Sequence, residues 1–341
     1  MRIALLLPCF LLLNYGYAQP KGREWGLGLG YGGILAHNQL VKHLAQSHPW
    51  QLNLEYLPEG EKTTAGIGLH YIDYQSQRLG RSLAALAFFE PKISHRFFLR
   101  IGSGIAWNSH PFQPETNPGN NMLGSRFSGT MQGRIFSRWN PGRLDLKLGI
   151  GLTHLSNGAW SLPNMGINHF YLYSSLGYSG KPAAAPGPAA EAERHSGAVF
   201  GLAASASLVE RYPLTGRKYP VWQLQARAGY QNRRKSVFSL GADIMYNSAA
   251  ASRLKEEPEE GSSALLTGII LGHTWQVLPK WEILTEAGGY LRRPAALYPA
   301  IYQRYGFRYR IFNGFSAGLL LKTHAARAEC LELNLSCLRL P

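Results

Sequence analysis

From Leu144 to Thr153 the sequence alternates without a break. Leu144, Leu146, Leu148, Ile150 and Leu152 fall on one side, and Asp145, Lys147, Gly149, Gly151 and Thr153 on the other. A period of two is the side-chain repeat of an extended strand, so this stretch forms a strand with one apolar and one polar face. The same pattern returns along the chain. Trp25, Leu27, Leu29 and Tyr31 make an early apolar row, so the glycine-rich run Gly26 to Gly33 belongs to a strand; no helix follows it, as a phosphate-binding loop requires. Trp222, Leu224, Ala226, Ala228 and Tyr230 oppose Gln223, Gln225, Arg227 and Gln231. Tyr305, Phe307, Tyr309 and Ile311 oppose Arg304, Arg308 and Arg310. The fold class is all-β. Repeated segments of roughly ten residues with this alternation are the pattern of an outer-membrane barrel, although a soluble sandwich with its leucines turned to a core alternates in the same way.

The connections favour the barrel. Short turns such as Glu90-Pro91 and Asn140-Pro141-Gly142 alternate with longer loops such as Ala106 to Gly124, Leu155 to Ile167 and Asn247 to Ser263. Short turns at one rim and long loops at the other are what a membrane barrel shows. One stretch breaks the alternation: Lys181 to Arg194 is long, rich in Pro and Ala, and lies on the short-turn side, so residues 181–194 are expected to form a flexible loop. The expected architecture is a single antiparallel transmembrane β-barrel over residues 19–341, with about 12–16 strands. Its polar face would line the lumen and its leucine face would meet lipid. Glu282, Glu286, Arg304, Arg308 and Arg310 then form a polar plug in the interior.

The chain begins as an exported one. Arg2, the apolar run Ile3 to Leu13 and the small-x-small site Gly16-Tyr17-Ala18 make residues 1–18 a cleavable signal peptide, and the expected destination is the outer membrane of a Gram-negative type of cell. Cys330 and Cys337 lie seven apart in a strand-like run, about 23 Å when extended, which is beyond disulfide reach. The formal net charge of +15 favours anionic partners such as phosphorylated lipid headgroups or acidic polysaccharide; export makes nucleic acid the least fitting. His37, His43, His48, His70 and His95 lack metal-ligand spacing and read as solvated or interfacial. Neither a metal nor a cofactor is expected.

Chemistry-bearing residues gather at the end of the opening strand. His154 and Ser156 continue its leucine row, pointing outward at the level of the outer leaflet, and Asn168 has the outward parity of the next strand. A polar trio facing lipid costs free energy and requires a reason. Serine becomes a nucleophile when a base takes its proton, and a histidine two residues away on the same face can reach its hydroxyl. A third group on the other imidazole nitrogen fixes the tautomer, which the amide oxygen of Asn168 can do. Asn157 can donate to an oxyanion.

The run His154-Leu155-Ser156-Asn157-Gly158, followed by Pro163-Asn164 and Gly166-Ile167-Asn168, resembles the lipid A 3-O-deacylases of the PagL type, also described as acyloxyacyl hydrolases. Tyr302-Gln303-Arg304-Tyr305-Gly306 and Leu321-Lys322-Thr323-His324 resemble runs of longer members. The resemblance implies an outer-membrane serine esterase that hydrolyses an ester-linked acyl chain of lipid A or lipopolysaccharide. Ser156 would be its nucleophile, His154 its base and Asn168 the third catalytic position, with Asn157 and Gly158 at the oxyanion. Such enzymes are typically eight-stranded barrels, about half the length of this chain, and carry glutamate where Asn168 stands. An amide orients an imidazole but does not neutralise the imidazolium that forms. Among the basic residues of the long loops, Arg78, Arg81, Arg217, Lys218, Arg292 and Arg293 are expected to hold lipid phosphates. The alternative is a non-catalytic outer-membrane barrel, a channel or an adhesive protein, that keeps the signature as a vestige.

Overall fold

The computed structural model describes residues 24–58, 65–94, 96–141, 143–179, 196–232, 236–258, 263–277, 280–312, 314–325 and 327–339. The expected signal peptide, residues 1–18, and the Pro/Ala-rich stretch 181–194 lie outside these residues.

Each alternating stretch forms a strand. The first eight are β1 (Glu24–Ile34), β2 (Trp50–Leu57), β3 (Ala65–Asp73), β4 (Arg81–Phe89), β5 (Phe97–Asn108), β6 (Phe127–Trp139), β7 (Leu144–Ser156) and β8 (Ile167–Ser179). The remaining eight are β9 (Gly197–Glu210), β10 (Lys218–Gln231), β11 (Ser236–Asn247), β12 (Leu265–Gln276), β13 (Trp281–Arg292), β14 (Ile301–Phe312), β15 (Phe315–His324) and β16 (Arg327–Arg339). Between β11 and β12, where the sequence suggests only a loop, Ser248–Glu256 forms helix α1. Asn247 caps it, its Oδ1 accepting from the amides of Ala249 at 2.9 Å and Ala250 at 3.3 Å.

The strands close into two barrels, not one. β1 pairs antiparallel with both β2 and β8, from Glu24↔Ser179 to Ile34↔His169, and the first eight strands form a closed barrel. β9 pairs with both β10 and β16, and the last eight form another. This overturns the single barrel of 12–16 strands. The physical reason is that alternation and turn length are local, whereas closure depends on which distant strand satisfies the edge of β1. With β8 on that edge, β9 must start a new sheet. The break falls where the loop alternation failed, between Ser179 and Gly197. By packing the chain divides into one unit of residues 1–157 and 163–190 and another of residues 158–162 and 191–341.

An eight-stranded barrel has an interior just wide enough for side chains to fill, and here they are charged. In the first barrel the fully buried Arg100 pairs with Glu55, at 2.5 and 2.7 Å, and with Glu90. Arg134 reaches the same Glu55 at 2.6 Å, and Arg138 and Lys147 meet Glu24 at 2.5 and 3.1 Å. In the second barrel Arg304 lies 2.9 Å from Asp243 and 3.3 Å from Glu332, and Arg308 lies 3.2 Å from Glu282. The residues expected as a polar plug therefore belong to the second barrel. Such pairs hold buried charge only while each partner is present.

The outward faces are apolar. Leu27, Leu172, Leu224 and Leu271 are each more than half exposed. On the first barrel aromatic pairs bracket this aliphatic surface, Trp25 with Tyr56 toward the short-turn rim and Trp50 with Tyr71 toward the long-loop rim. A polar interior inside an apolar exterior with aromatic girdles is the inverse of a soluble protein and the pattern of a barrel in lipid.

Candidate active site at the long-loop rim of the first barrel

The ends of β7 and β8 are pinned from inside. Leu155 and Ile167 face each other across the strand pair, both fully buried, in an apolar cluster with Ile34, Val41, Ile72, Met122 and Leu123 beneath the long loops. Because Leu155 and Ile167 turn inward, their alternating neighbours His154, Ser156 and Asn168 must turn outward. The register sets His154 opposite Asn168 on one side and Met131 on the other. Their side chains join: His154 Nδ1 lies 2.7 Å from Asn168 Oδ1. An amide oxygen only accepts, so Nδ1 carries the proton and Nε2 keeps its lone pair. Ser156 stands two residues further along the same face, about 6.6 Å along the strand. Its neighbour on β6 is Gly129, which brings no side chain of its own beside the serine.

The site is more enclosed than an outward-pointing trio suggests. Ser156 is buried and His154 half-buried, with Asn164 and Gly166 of the following connection packed against them. Backbone bonds from Met165 to Asn121 (3.1 Å) and from Gly166 to Met122 (2.9 Å) tie that connection to the loop between β5 and β6. Asn164 thereby comes over the serine. Its Nδ2 donates to Ser156 Oγ at 2.8 Å, and its Oδ1 accepts from the Asn157 amide at 3.1 Å. The side chain of Asn157 is engaged with Ser125 Oγ at 2.9 Å. Asn164 thus aims a donor at the hydroxyl. Gly158, at φ 61°, belongs by packing to the second unit. Gly166, at φ 76°, has its α-carbon against the His154 ring: a methyl group there would lie 2.9 Å from Cε1.

Two further features escaped the sequence. Asn168 Nδ2 also meets His37 Nδ1 at 3.0 Å, although His37 reads as a solvated loop residue. The role of Asn164 likewise depends on how its loop folds. Of the basic residues, Arg78 and Arg81 belong to the first unit, and Arg217, Lys218, Arg292 and Arg293 to the second. Arg81 pairs with Asp73 at 3.2 Å, Lys218 with Glu210 at 3.1 Å, and Arg293 donates to the Tyr298 carbonyl at 2.6 Å. Among the described residues no group of His, Cys, Asp and Glu is arranged to hold a metal ion.

Comparison with known proteins divides the chain at the same place. The family described as lipid A 3-O-deacylase (PagL) matches residues 22–177, and the family described as acyloxyacyl hydrolase, C-terminal domain, matches residues 196–337. No curated protein matches the sequence. Among solved structures, the toluene transporter TodX of Pseudomonas putida aligns at 9% identity and TM-score 0.19, over 94% of this chain and 89% of its own. The outer membrane channel DcaP of Acinetobacter baumannii aligns at 9% identity and TM-score 0.18, over 94% and 96%. Likenesses this weak carry no inference about either barrel.

Proposed function

The chain belongs to the lipid A 3-O-deacylase (PagL) family through its first barrel and bears the acyloxyacyl hydrolase C-terminal domain as its second, and from that premise we propose that it is an outer-membrane serine esterase. It removes an ester-linked acyl chain from lipid A or lipopolysaccharide, and residues 1–18 direct its export. The apolar exterior of each barrel supports the membrane location. The observation that carries the activity is the 2.7 Å contact between His154 Nδ1 and Asn168 Oδ1, which leaves the Nε2 lone pair to a residue on the same strand face as Ser156.

In this reading the acyl ester enters laterally from the outer leaflet. His154 Nε2 takes the proton of Ser156 as Oγ attacks the ester carbonyl carbon. The oxygen that becomes negative is met by donors near Ser156, the Asn164 amide first among them. The tetrahedral adduct expels the sugar alkoxide, which takes the proton from His154. Water, activated in turn by His154, then frees the fatty acid and restores the serine. Asn168 holds the ring but supplies no countercharge for the imidazolium, so the enzyme is slower than one with a carboxylate there. Arg78 and Arg81, on the barrel that bears the site, are the basic residues best placed to meet a lipid phosphate.

A channel is the weaker reading, since buried ion pairs occupy both interiors. The deciding experiment is mass spectrometry of lipid A incubated in detergent with the wild type and with Ser156→Ala. Loss of one acyl chain with the wild type alone supports the esterase. Equal products from both overturn it.

A further inference from the structure

The contact between Asn168 and His37 solves a problem that asparagine creates at this position. An amide has two different ends, and either can face His154. With Oδ1 toward His154 Nδ1, the proton sits on Nδ1 and Nε2 is free to act as a base. With the amide turned over, Nδ2 donates to His154 Nδ1, the proton moves to Nε2, and the serine faces a donor instead of a base. A carboxylate would present oxygen either way. Asparagine needs a second partner to choose.

We propose that His37 is that partner, a positioning residue that orients the Asn168 amide and through it sets the tautomer of His154. Neutral His37 offers the lone pair of Nδ1 to Asn168 Nδ2, at 3.0 Å, and keeps its own proton on Nε2. The amide oxygen is then left for His154 Nδ1, at 2.7 Å. The fold holds His37 in place from both sides. The amide of Leu35 donates to the Asn168 carbonyl at 2.8 Å, fixing the chain leaving β1 against β8. On the other side Asn38 Oδ1 accepts from the Leu40 amide at 3.0 Å and starts a turn that buries Val41. The His37 ring is half-buried and delivered to the edge of β8 by the strand pair that closes the first barrel.

The inference rests on the esterase reading for its catalytic consequence, but the tautomer of His154 is measurable without turnover. The experiment is a double-mutant cycle of the full chain in detergent micelles: wild type, His37→Phe, Asn168→Asp and the double variant. Imidazole nitrogen-15 shifts, assigned by comparison with His154→Gln, report the tautomer; acyl release from lipopolysaccharide gives kcat and KM. In the wild-type background His37→Phe is expected to mix the His154 tautomers and lower kcat about tenfold or more, with KM changed less than about twofold. In the Asn168→Asp background the same exchange should alter kcat by less than about threefold, because aspartate has no wrong end. His37→Gln, whose carbonyl accepts the same N–H, should restore the tautomer and most of kcat, and His37→Ala, which also lacks the acceptor, stands in for His37→Phe should that variant fail to assemble. An unchanged His154 tautomer in His37→Phe, or equal losses in both backgrounds, overturns the proposal. Should the wild type release no fatty acid, the esterase reading fails while the nitrogen shifts still decide the role of His37.

Discussion

Asn164 donates to Ser156 Oγ at 2.8 Å and accepts from the Asn157 amide at 3.1 Å, so one side chain both ties down the covering loop and aims a donor at the hydroxyl. The two roles separate in Asn164→Asp, which keeps an oxygen for the Asn157 amide and loses the N–H toward the serine. Removing one oxyanion donor lowers kcat by about 10²–10³-fold. Asn164→Asp should do so with little change in KM and a barrel that still shifts on heating in gel electrophoresis. Turnover at the wild-type rate would exclude Asn164 from the oxyanion site.

Gly166 limits where the His154 ring can lie. A methyl group on Gly166 would sit 2.9 Å from His154 Cε1 and 3.1 Å from the Leu155 carbonyl oxygen, on a residue at φ 76°. The left-handed backbone alone costs an alanine about 1–2 kcal/mol, and displacing the ring by about 1 Å costs up to about 10²-fold in rate. Gly166→Ala is expected to lower kcat far more than its modest loss of thermal stability explains. A loss of stability with kcat intact would show that the ring has room to move.

How much of this was legible in the sequence depends on the range of each interaction. The rows Leu144 to Leu152 and Trp222 to Tyr230 form strands because a period of two is a local property. That His154 faces Asn168 follows from the register of two neighbouring strands. Barrel closure was not legible: nothing in Glu24–Ile34 announces that its second partner is Ile167–Ser179 rather than a strand near the C-terminus. His37 shared that obscurity, since its contact with Asn168 spans 131 residues and exists only because β1 closes on β8. The Pro/Ala-rich stretch that broke the alternation of loops, and a length about twice that of the eight-stranded enzymes the chain resembles, were the sequence signals of two barrels.

Helix α1 carries a pH-sensitive clamp. Arg211 grips Glu256 with two bonds, of 2.7 and 2.6 Å, and Tyr212 adds a third of 3.2 Å. The Arg211 hydrogen bond is the main cause holding the Glu256 carboxyl below its ordinary 4.5. A carboxyl with a depressed folded-state pKa contributes stability above its unfolded value and loses it as pH falls through the folded one. Residues 248–257 should therefore keep their clamp at pH 6 and lose it as pH falls below the ordinary carboxylate range. Hydrogen exchange of that peptide, corrected for intrinsic rates, should show the protection falling at pH 3. Equal protection at both values would mean that packing alone holds α1.

Two closed barrels predict two separable lesions. Arg100 is fully buried between Glu55 and Glu90 in the first barrel, and Arg304 is fully buried among Asp243, Glu286 and Glu332 in the second. Replacing either with Met leaves carboxylates buried without their main countercharge, which costs about 3–5 kcal/mol. Because each network is confined to its own closed sheet, Arg100→Met should destabilise only the first barrel and Arg304→Met only the second. Urea unfolding in micelles can follow each barrel through a protease-accessible strand peptide, such as Leu144–Ser156 or Lys218–Gln231, by mass spectrometry. Arg100→Met should shift the midpoint for the first peptide, Arg304→Met that for the second, and each should leave the other in place. A common shift of both peptides by either variant would show that the two sheets unfold as one.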